Sequence, residues 1–150
     1  MHEFASVDDF AAAVGTELGP GEWVTIHQDR IDAFAEATGD HQWIHVDPVR
    51  AAASGFGSTI AHGYLTLSLL PLLVRGLYRV DGVRMGINYG LNGVRFMNPV
   101  PVNGRVRGHF KLLAFEPLPD GAQLTVQATI ELEGAPKPAC VAETVSRRFT

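Results

Sequence analysis

The 150-residue chain contains a single cysteine, Cys140, and only two of its twelve basic residues are lysine. One cysteine excludes an intrachain disulfide, and its place in an alternating segment predicts a small buried side chain rather than a nucleophile. The formal net charge of -4 gives no electrostatic reason to expect a nucleic-acid partner. The arginine excess suits phosphate recognition, but a general compositional bias explains it as well, and we favour that explanation.

Long hydrophobic runs and targeting signals are also missing. The most apolar run, Tyr64 to Val74, spans 11 residues and contains Pro71, whereas a membrane helix needs about 20. The N-terminus has no basic stretch followed by an apolar one, so no signal peptide is predicted. There is no repeat and no linker. We therefore expect one domain over residues 1–150, no membrane segment and a cytoplasmic location.

The hydrophobic pattern changes character midway along the chain. Up to about Arg79 it predicts helices and loops, including a helix that ends at Gly39. Beyond Gly82 apolar residues alternate with polar ones, which predicts strands. The clearest case is the apolar set Leu124, Val126, Ala128, Ile130 and Leu132.

Between the two halves, the segment from Gly63 to about Gly76 is apolar on nearly every side. A helix without a polar face must be buried all round, and Pro71 would bend it. A buried helix and several one-sided antiparallel strands have one economical arrangement, in which the sheet curls around the helix. The predicted fold class is therefore α+β.

Reactive side chains are densest between Thr38 and Pro48. Asp40 and His45 lie five residues apart across a turn, so both can reach one water molecule. A carboxylate and an imidazole at one apolar-walled site are suited to moving protons near neutral pH. The alternative is that Gly39 ends a helix, Asp40 forms an Asx-turn and the histidines are exposed loop residues.

A second cluster, Ala61-His62-Gly63, directly precedes the apolar helix. Gly63 at the helix N-terminus leaves a free N–H, where the helix dipole favours a developing oxyanion. Alternatively, Gly63 makes a tight turn and His62 is a loop residue with its hydrogen bonds satisfied. Ser68 lies five residues further on, and a bond to its own helix backbone is the default expectation for its hydroxyl.

A metal site is the third interpretation of these residues. His41 and His45 are four apart, with Asp40 and Asp47 close by, a spacing that some zinc sites use on helices. Because the segment is predicted to be loop and no third ligand is evident, we expect no metal. Further along, Gly86, Gly90 and Gly93 resemble no phosphate loop and predict bulges or close backbone approach.

Three stretches together resemble the MaoC-like R-specific enoyl-CoA hydratases, which have the hot-dog fold. The hydratase motif of that family is matched by Gly39, Asp40, Ile44 and His45 at the family spacing. The family's Ala-His-Gly before a long apolar helix is matched by Ala61, His62 and Gly63, and its helix serine by Ser68. Gln42-Trp43 stands where the family has Asn-Pro, which is a departure in the loop.

The resemblance implies a hot-dog domain that hydrates 2-enoyl-CoA to (R)-3-hydroxyacyl-CoA and catalyses the reverse dehydration. Asp40 and His45 would be the acid/base pair, and Gly63 would bind the thioester oxygen. Ser68 and Tyr64 would contact the substrate, whose acyl tail would lie beside the central helix. Tyr64, Leu65 and Trp43 are candidate walls, although plain core positions are equally in keeping with their pattern.

The resemblance also implies a homodimer and no metal or redox cofactor, with CoA present only as part of the substrate. Two other functions stay open at this point. Hot-dog folds also host acyl-CoA thioesterases, and fold does not decide function. A non-catalytic acyl-CoA-binding or partner subunit is the other alternative, which the intact Asp40 and His45 pair opposes and the Gln42-Trp43 departure mildly favours.

Overall fold

The second half of the chain forms one antiparallel sheet, against which the central helices pack. The computed structural model describes all of residues 1–150. The helices are α1 (Val7–Ala11), α2 (Gln28–Thr38), α3 (Trp43–Val46), α4 (Pro48–Ala52), α5 (Gly63–Ser68) and α6 (Leu70–Leu73). The strands are β1 (His2–Phe4), β2 (Glu17–Leu18), β3 (Val24–Thr25), β4 (Tyr78–Val80), β5 (Met85–Phe96), β6 (Arg105–Leu118), β7 (Gly121–Leu132) and β8 (Cys140–Phe149).

The main sheet has the order β2–β6–β7–β8–β5, and β3 also pairs with β6. All of its pairings are antiparallel, while β1 and β4 form a separate parallel pair. Leu65, Leu69 and Leu73 of the central helices share one buried cluster with Leu124 and Ile130 of the sheet. The α+β hot-dog prediction is therefore confirmed.

The central helix differs from the prediction in continuity and in burial. It is two short helices that meet at Leu69, because Pro71 in the first turn of α6 has no N–H for a bond to the preceding turn. Tyr64 is 70% exposed, and Ser68 and Pro71 are exposed as well. Burial on all sides is thus wrong for the single chain, since no element of this chain covers the helix face that carries Tyr64, Ser68 and Pro71.

Strand β5 lies at the edge of the sheet and pairs only with β8. Its register shifts between Asn88 and Gly90 and again between Leu91 and Gly93, which confirms the prediction of bulges at these glycines. The strand also leaves a row of large apolar side chains in solvent. Those at least 40% exposed are Met85, Ile87, Tyr89, Leu91 and Phe96.

Cys140 is fully buried at the start of β8. Burial raises the pKa of its thiol to about 11, so the thiolate needed for nucleophilic chemistry is scarce near neutral pH. The prediction of a small core residue is confirmed. As for membranes, the structure has no helix with the length and apolar character that a bilayer crossing requires.

The contact between α6 and β6 sets how closely the helix approaches the sheet, and Gly108 lies at that contact. A Cβ on Gly108 would lie 2.5 Å from Cε2 of Phe110 and 3.1 Å from Cβ of Leu73. We predict that Gly108→Ala lowers the free energy of unfolding by about 1–3 kcal/mol, the usual cost of overpacking. Urea unfolding measures the loss, with Gly93→Ala, which has open space around its Cβ position, as the control. Equal stability of the two variants would contradict tight packing at this contact.

Candidate active site

Three separate turns bring Asp40, His45 and His62 together. Asp40 directly follows α2, which ends at Gly39 in the left-handed conformation with φ of 76°. His45 lies on the single turn α3, and His62 precedes α5. One carboxylate oxygen and one nitrogen of each ring all lie within 4.8 Å of one another. The predicted approach of Asp40 and His45 is therefore present in the structure.

His45 is held by bonds between its turn and the segment before α5. Its Nδ1 donates to the carbonyl of Ile60 at 2.7 Å, and the N–H of Ile60 donates to the carbonyl of Ile44 at 3.0 Å. Gln28 adds a clamp: its Nε2 donates to the carbonyl of His45 at 2.8 Å, and its Oε1 accepts from the hydroxyl of Thr59 at 2.5 Å. The imidazole consequently has little freedom to rotate.

These bonds fix the tautomer of His45. A carbonyl oxygen only accepts, so Nδ1 carries a proton, and in the neutral ring Nε2 carries the lone pair. The side chain is 6% exposed. Burial is the largest cause that lowers the pKa of His45, and the neighbouring His62 lowers it further, against the opposing effects of the Ile60 carbonyl and Asp40. His45 is therefore a neutral base near pH 7.

His62 is a member of the cluster that sequence reasoning missed. Its Nε2 donates to the main-chain carbonyl of Asp40 at 2.9 Å, and its ring stacks on that of His45 with centroids 3.8 Å apart. The residue is 2% exposed, and its Nδ1 has no hydrogen-bond partner. The interpretation as a satisfied loop residue is wrong. The Ala61-His62-Gly63 motif was the available signal, but it did not reveal that the ring lies against His45.

Asp40 combines the two interpretations that the sequence left open. Its Oδ1 accepts from the N–H of Gln42 at 3.3 Å, which is the Asx-turn of the structural alternative. The same turn brings the carboxylate to His45 and His62. Unlike the two histidines, Asp40 is exposed, so water can reach the carboxylate.

Gly63 is the first residue of α5, so its N–H has no acceptor within the helix. The ring of Phe96 lies over it: a Cβ at Gly63 would come within 3.1 Å of that ring. The absence of a side chain thus permits Phe96 to close over the helix start. Gly63 directly follows His62, so the helix start and its free N–H are one residue from the cluster.

Ser68 and Tyr64 interact with each other through the helix backbone. The Ser68 hydroxyl donates to the Tyr64 carbonyl at 2.6 Å, which confirms the default expectation for this hydroxyl. The Tyr64 ring meets Phe96 edge-on, with centroids 5.9 Å apart. Both side chains lie on the uncovered face of α5, and their contacts with substrate stay a prediction.

A cavity of about 680 Å³ lies between the central helices and the inner face of the sheet. None of the three candidate acyl walls lines it. Leu65 faces the core instead, Trp43 stacks under the Arg50 guanidinium at 4.4 Å, and Tyr64 lies on the uncovered helix face. Helical periodicity identified the apolar residues but not which face of α5 would meet a cavity. The helix contributes Leu67, Ser68, Leu70, Pro71 and Val74.

The cluster of one carboxylate and two imidazoles invites comparison with a metal site, but its geometry does not suit chelation. Imidazole binds a metal along the lone pair in the ring plane. The rings of His45 and His62 are only 23° from parallel and 3.8 Å apart, so an ion between them would lie well outside both planes. The residues of the sequence-based metal hypothesis do not converge either: His41 pairs with Glu36 at 3.5 Å, and Asp47 caps α4.

Comparison with known proteins gives consistent matches over nearly the whole chain. The family described as MaoC like domain matches residues 9–132. 3-Hydroxyacyl-thioester dehydratase Z of Mycobacterium tuberculosis is 57% identical over 148 residues, covering 98% of each chain. Nodulation protein N of Rhizobium leguminosarum bv. viciae is 48% identical, covering 97% of this chain and 92% of that one. The (R)-hydratase from A. caviae involved in PHA biosynthesis is 27% identical, with a TM-score of 0.66 over 86% of this chain and 96% of that one.

The state of His45 can be measured directly. We predict that ¹⁵N NMR shows its proton on Nδ1 at neutral pH and that the ring titrates below the ordinary histidine pKa of 6.5, because burial disfavours the imidazolium. The His45→Gln variant identifies the signal by its loss. A neutral ring protonated on Nε2, or a raised pKa, would contradict the bond to Ile60 as the control of this base.

Proposed function

The chain belongs to the MaoC-like dehydratase family, and on that premise we propose that it catalyses the (R)-specific hydration of trans-2-enoyl-CoA to (R)-3-hydroxyacyl-CoA in fatty-acid metabolism. The reverse dehydration uses the same site. The observation that carries the proposal is the approach of Asp40, His45 and His62 to within 4.8 Å of one another, one residue before the helix start at Gly63. The name of the 57% identical relative, a 3-hydroxyacyl-thioester dehydratase, supports the same reaction class.

In the proposed reaction the thioester oxygen accepts a hydrogen bond from Gly63, while Asp40 and Nε2 of His45 hold a water beside the β-carbon. The water oxygen bonds to that carbon and its proton passes to Nε2. The double-bond electrons move onto the thioester oxygen as an enolate. The enolate collapses by taking a proton at the α-carbon from the Asp40 and His45 pair, which completes the addition of one water.

Each group is expected to contribute a definite factor to the rate acceleration. One oxyanion donor such as Gly63 is typically worth about 10²–10³ in kcat. Positioned acid/base groups contribute roughly 10²–10⁴. Neither contribution needs a metal or a redox cofactor, and CoA takes part only as the carrier of the acyl group.

We predict that Asp40→Asn and His45→Gln each lower kcat for crotonyl-CoA hydration by at least about 10², because each removes one half of the proton-transfer pair. His41→Gln is the matched control. This neighbouring histidine is exposed and pairs with Glu36, outside the cluster, so its variant should retain parental activity. Loss of the enoyl absorbance gives the rate, and circular dichroism checks that all three variants are folded.

The same assay separates the proposed function from the thioesterase alternative. Hydration consumes the enoyl absorbance and leaves CoA esterified, whereas hydrolysis releases a free thiol that a thiol reagent detects. Free thiol in proportion to substrate consumed would overturn the hydratase proposal. Parental rates in both Asp40→Asn and His45→Gln would overturn the assignment of roles.

We further infer that the active form is a homodimer joined along β5. An edge strand presents unpaired N–H and C=O groups that a second copy can pair with. The exposed apolar side chains of β5 and the uncovered face of α5 are apolar surfaces that a monomer leaves in water. A second copy would bury both features at once.

We predict that the double substitution Met85→Lys and Ile87→Lys shifts the protein from dimer towards monomer, because like charges across a strand pair repel. Light scattering after size exclusion distinguishes the monomer mass of 16.2 kDa from its double. The control carries Val14→Lys and Val49→Lys, which add the same charge at apolar residues that are 47% and 84% exposed and outside β5. A monomeric parent protein, or an unchanged mass in the β5 variant, would contradict the inferred interface.

A further inference from the structure

The inner face of the sheet becomes polar with distance from Gly63. Inward-facing residues of β8 alternate with outward ones, as the pairing of β8 with buried residues of β7 requires. Read from the Phe96 end, the inward side chains of β8 change from small and apolar to polar and finally cationic. They are Cys140, Ala142, Thr144, Ser146 and Arg148. The neighbouring inward positions of β5 change from large apolar residues to an asparagine and a glycine: Phe96, Val94, Leu91, Asn88 and Gly86.

The cavity beside the central helices follows this gradient. At one end it is lined by Leu67 and Ser68, which lie about 6–8 Å along the helix from Gly63 at 1.5 Å per residue. At the other end it is lined by Arg148 and Gly86. From Thr144 to Arg148 the strand covers about 14 Å at 3.4 Å per residue. The cavity, here called the slot, therefore has apolar helix residues on the side nearer to Gly63 and a cation where Arg148 lines it.

Arg148 has no protein partner for its charge. Its guanidinium makes no salt bridge and donates no side-chain hydrogen bond, although the residue is partly buried. Its outward neighbour Arg147 differs, since it donates to Gln123 at 3.1 Å and stacks on Tyr89 at 3.7 Å. A half-buried guanidinium without an acceptor can bind a carboxylate through two charge-assisted hydrogen bonds.

Gly86 leaves room for the guanidinium of Arg148 in its observed position. A Cβ at Gly86 would meet Nη1 of Arg148 and lie 3.0 Å from its Cζ. The space that a side chain on β5 would occupy is thus filled by the guanidinium. Gly86 is not among the glycines with positive φ, so the feature that distinguishes this position is the guanidinium beside it.

We propose that the slot selects 2-enoyl thioesters whose acyl chain carries a carboxylate at its distal end, and that Arg148 binds this carboxylate. The proposal rests on the proposed function, which fixes the thioester at Gly63. An acyl chain that starts there and passes Ser68 would run along Leu67, Leu70 and Val74 before it reaches the guanidinium. An unsubstituted chain of the same length would leave Arg148 desolvated without an acceptor.

The test compares matched pairs of 2-enoyl-CoA substrates of increasing chain length, with and without a terminal carboxylate. We expect kcat/KM to favour the carboxylated member by at least about tenfold at the length that spans the slot, the size of a hydrogen bond between charged groups. Arg148→Gln should abolish this preference by raising KM for the carboxylated member of each pair. Arg148→Lys should retain part of the preference. Arg147→Gln is the control and should leave the preference intact, and thermal unfolding verifies that each variant is folded.

A loss of kcat/KM in Arg148→Gln that is equal for both members of each pair would place the guanidinium on the CoA portion and overturn the proposal. So would an absent preference in the parent protein. Binding of saturated acyl-CoA pairs by calorimetry separates this result from failure of the proposed function. If no enoyl thioester is hydrated, an Arg148-dependent preference in binding still supports the carboxylate site, and its absence overturns it.

Discussion

The site depends on one short backbone segment, Thr59 to Ile60, to which the turn carrying His45 is tied. Ile60 bonds in both directions: its carbonyl accepts from the imidazole, and its N–H donates to the carbonyl of Ile44. Because the segment continues directly into His62 and Gly63, His45 and the proposed oxyanion donor belong to one connected frame. A displacement of this segment would change the tautomer, the pKa and the position of His45 together.

The stacked histidines show that this frame favours reactivity over stability. Nδ1 of His62 is buried without a partner, and a buried polar atom left unsatisfied costs about 1–3 kcal/mol. The other nitrogen of that ring holds the main chain of Asp40, so the ring links the two reactive residues. Burial of the His45 ring and, to a smaller extent, the neighbouring His62 lower the pKa of His45, which keeps it neutral and able to accept a proton.

The parts of the molecule that follow from local pattern could be predicted from the sequence. Period-two alternation located β7, and the spacing of Asp40 and His45 placed both on one side of a turn. The four-residue helix α3 was not predicted, because so short a turn has no periodicity of its own. The stacking of His62 on His45 and the orientation of Arg148 were also beyond reach, since both depend on how distant strands and turns pack. Burial of the central helix was overestimated because apolar residues on a helix do not say whether the covering surface belongs to the same chain.

Whether such a site hydrates or hydrolyses a thioester depends on the distance between the activated water and the group that binds the thioester oxygen, rather than on the kinds of residue present. A thioesterase and a hydratase can both use a carboxylate, an imidazole and a backbone N–H, because each activates a water and stabilises a negative thioester oxygen. When Gly63 anchors that oxygen, the carbonyl carbon is one bond away and the β-carbon is three. The water held by Asp40 and His45 must then lie over the more distant atom. In the proposed reaction the connected frame of Ile60, His62 and Gly63 sets that separation, so the backbone that spaces the donors would matter as much as the side chains that carry the protons.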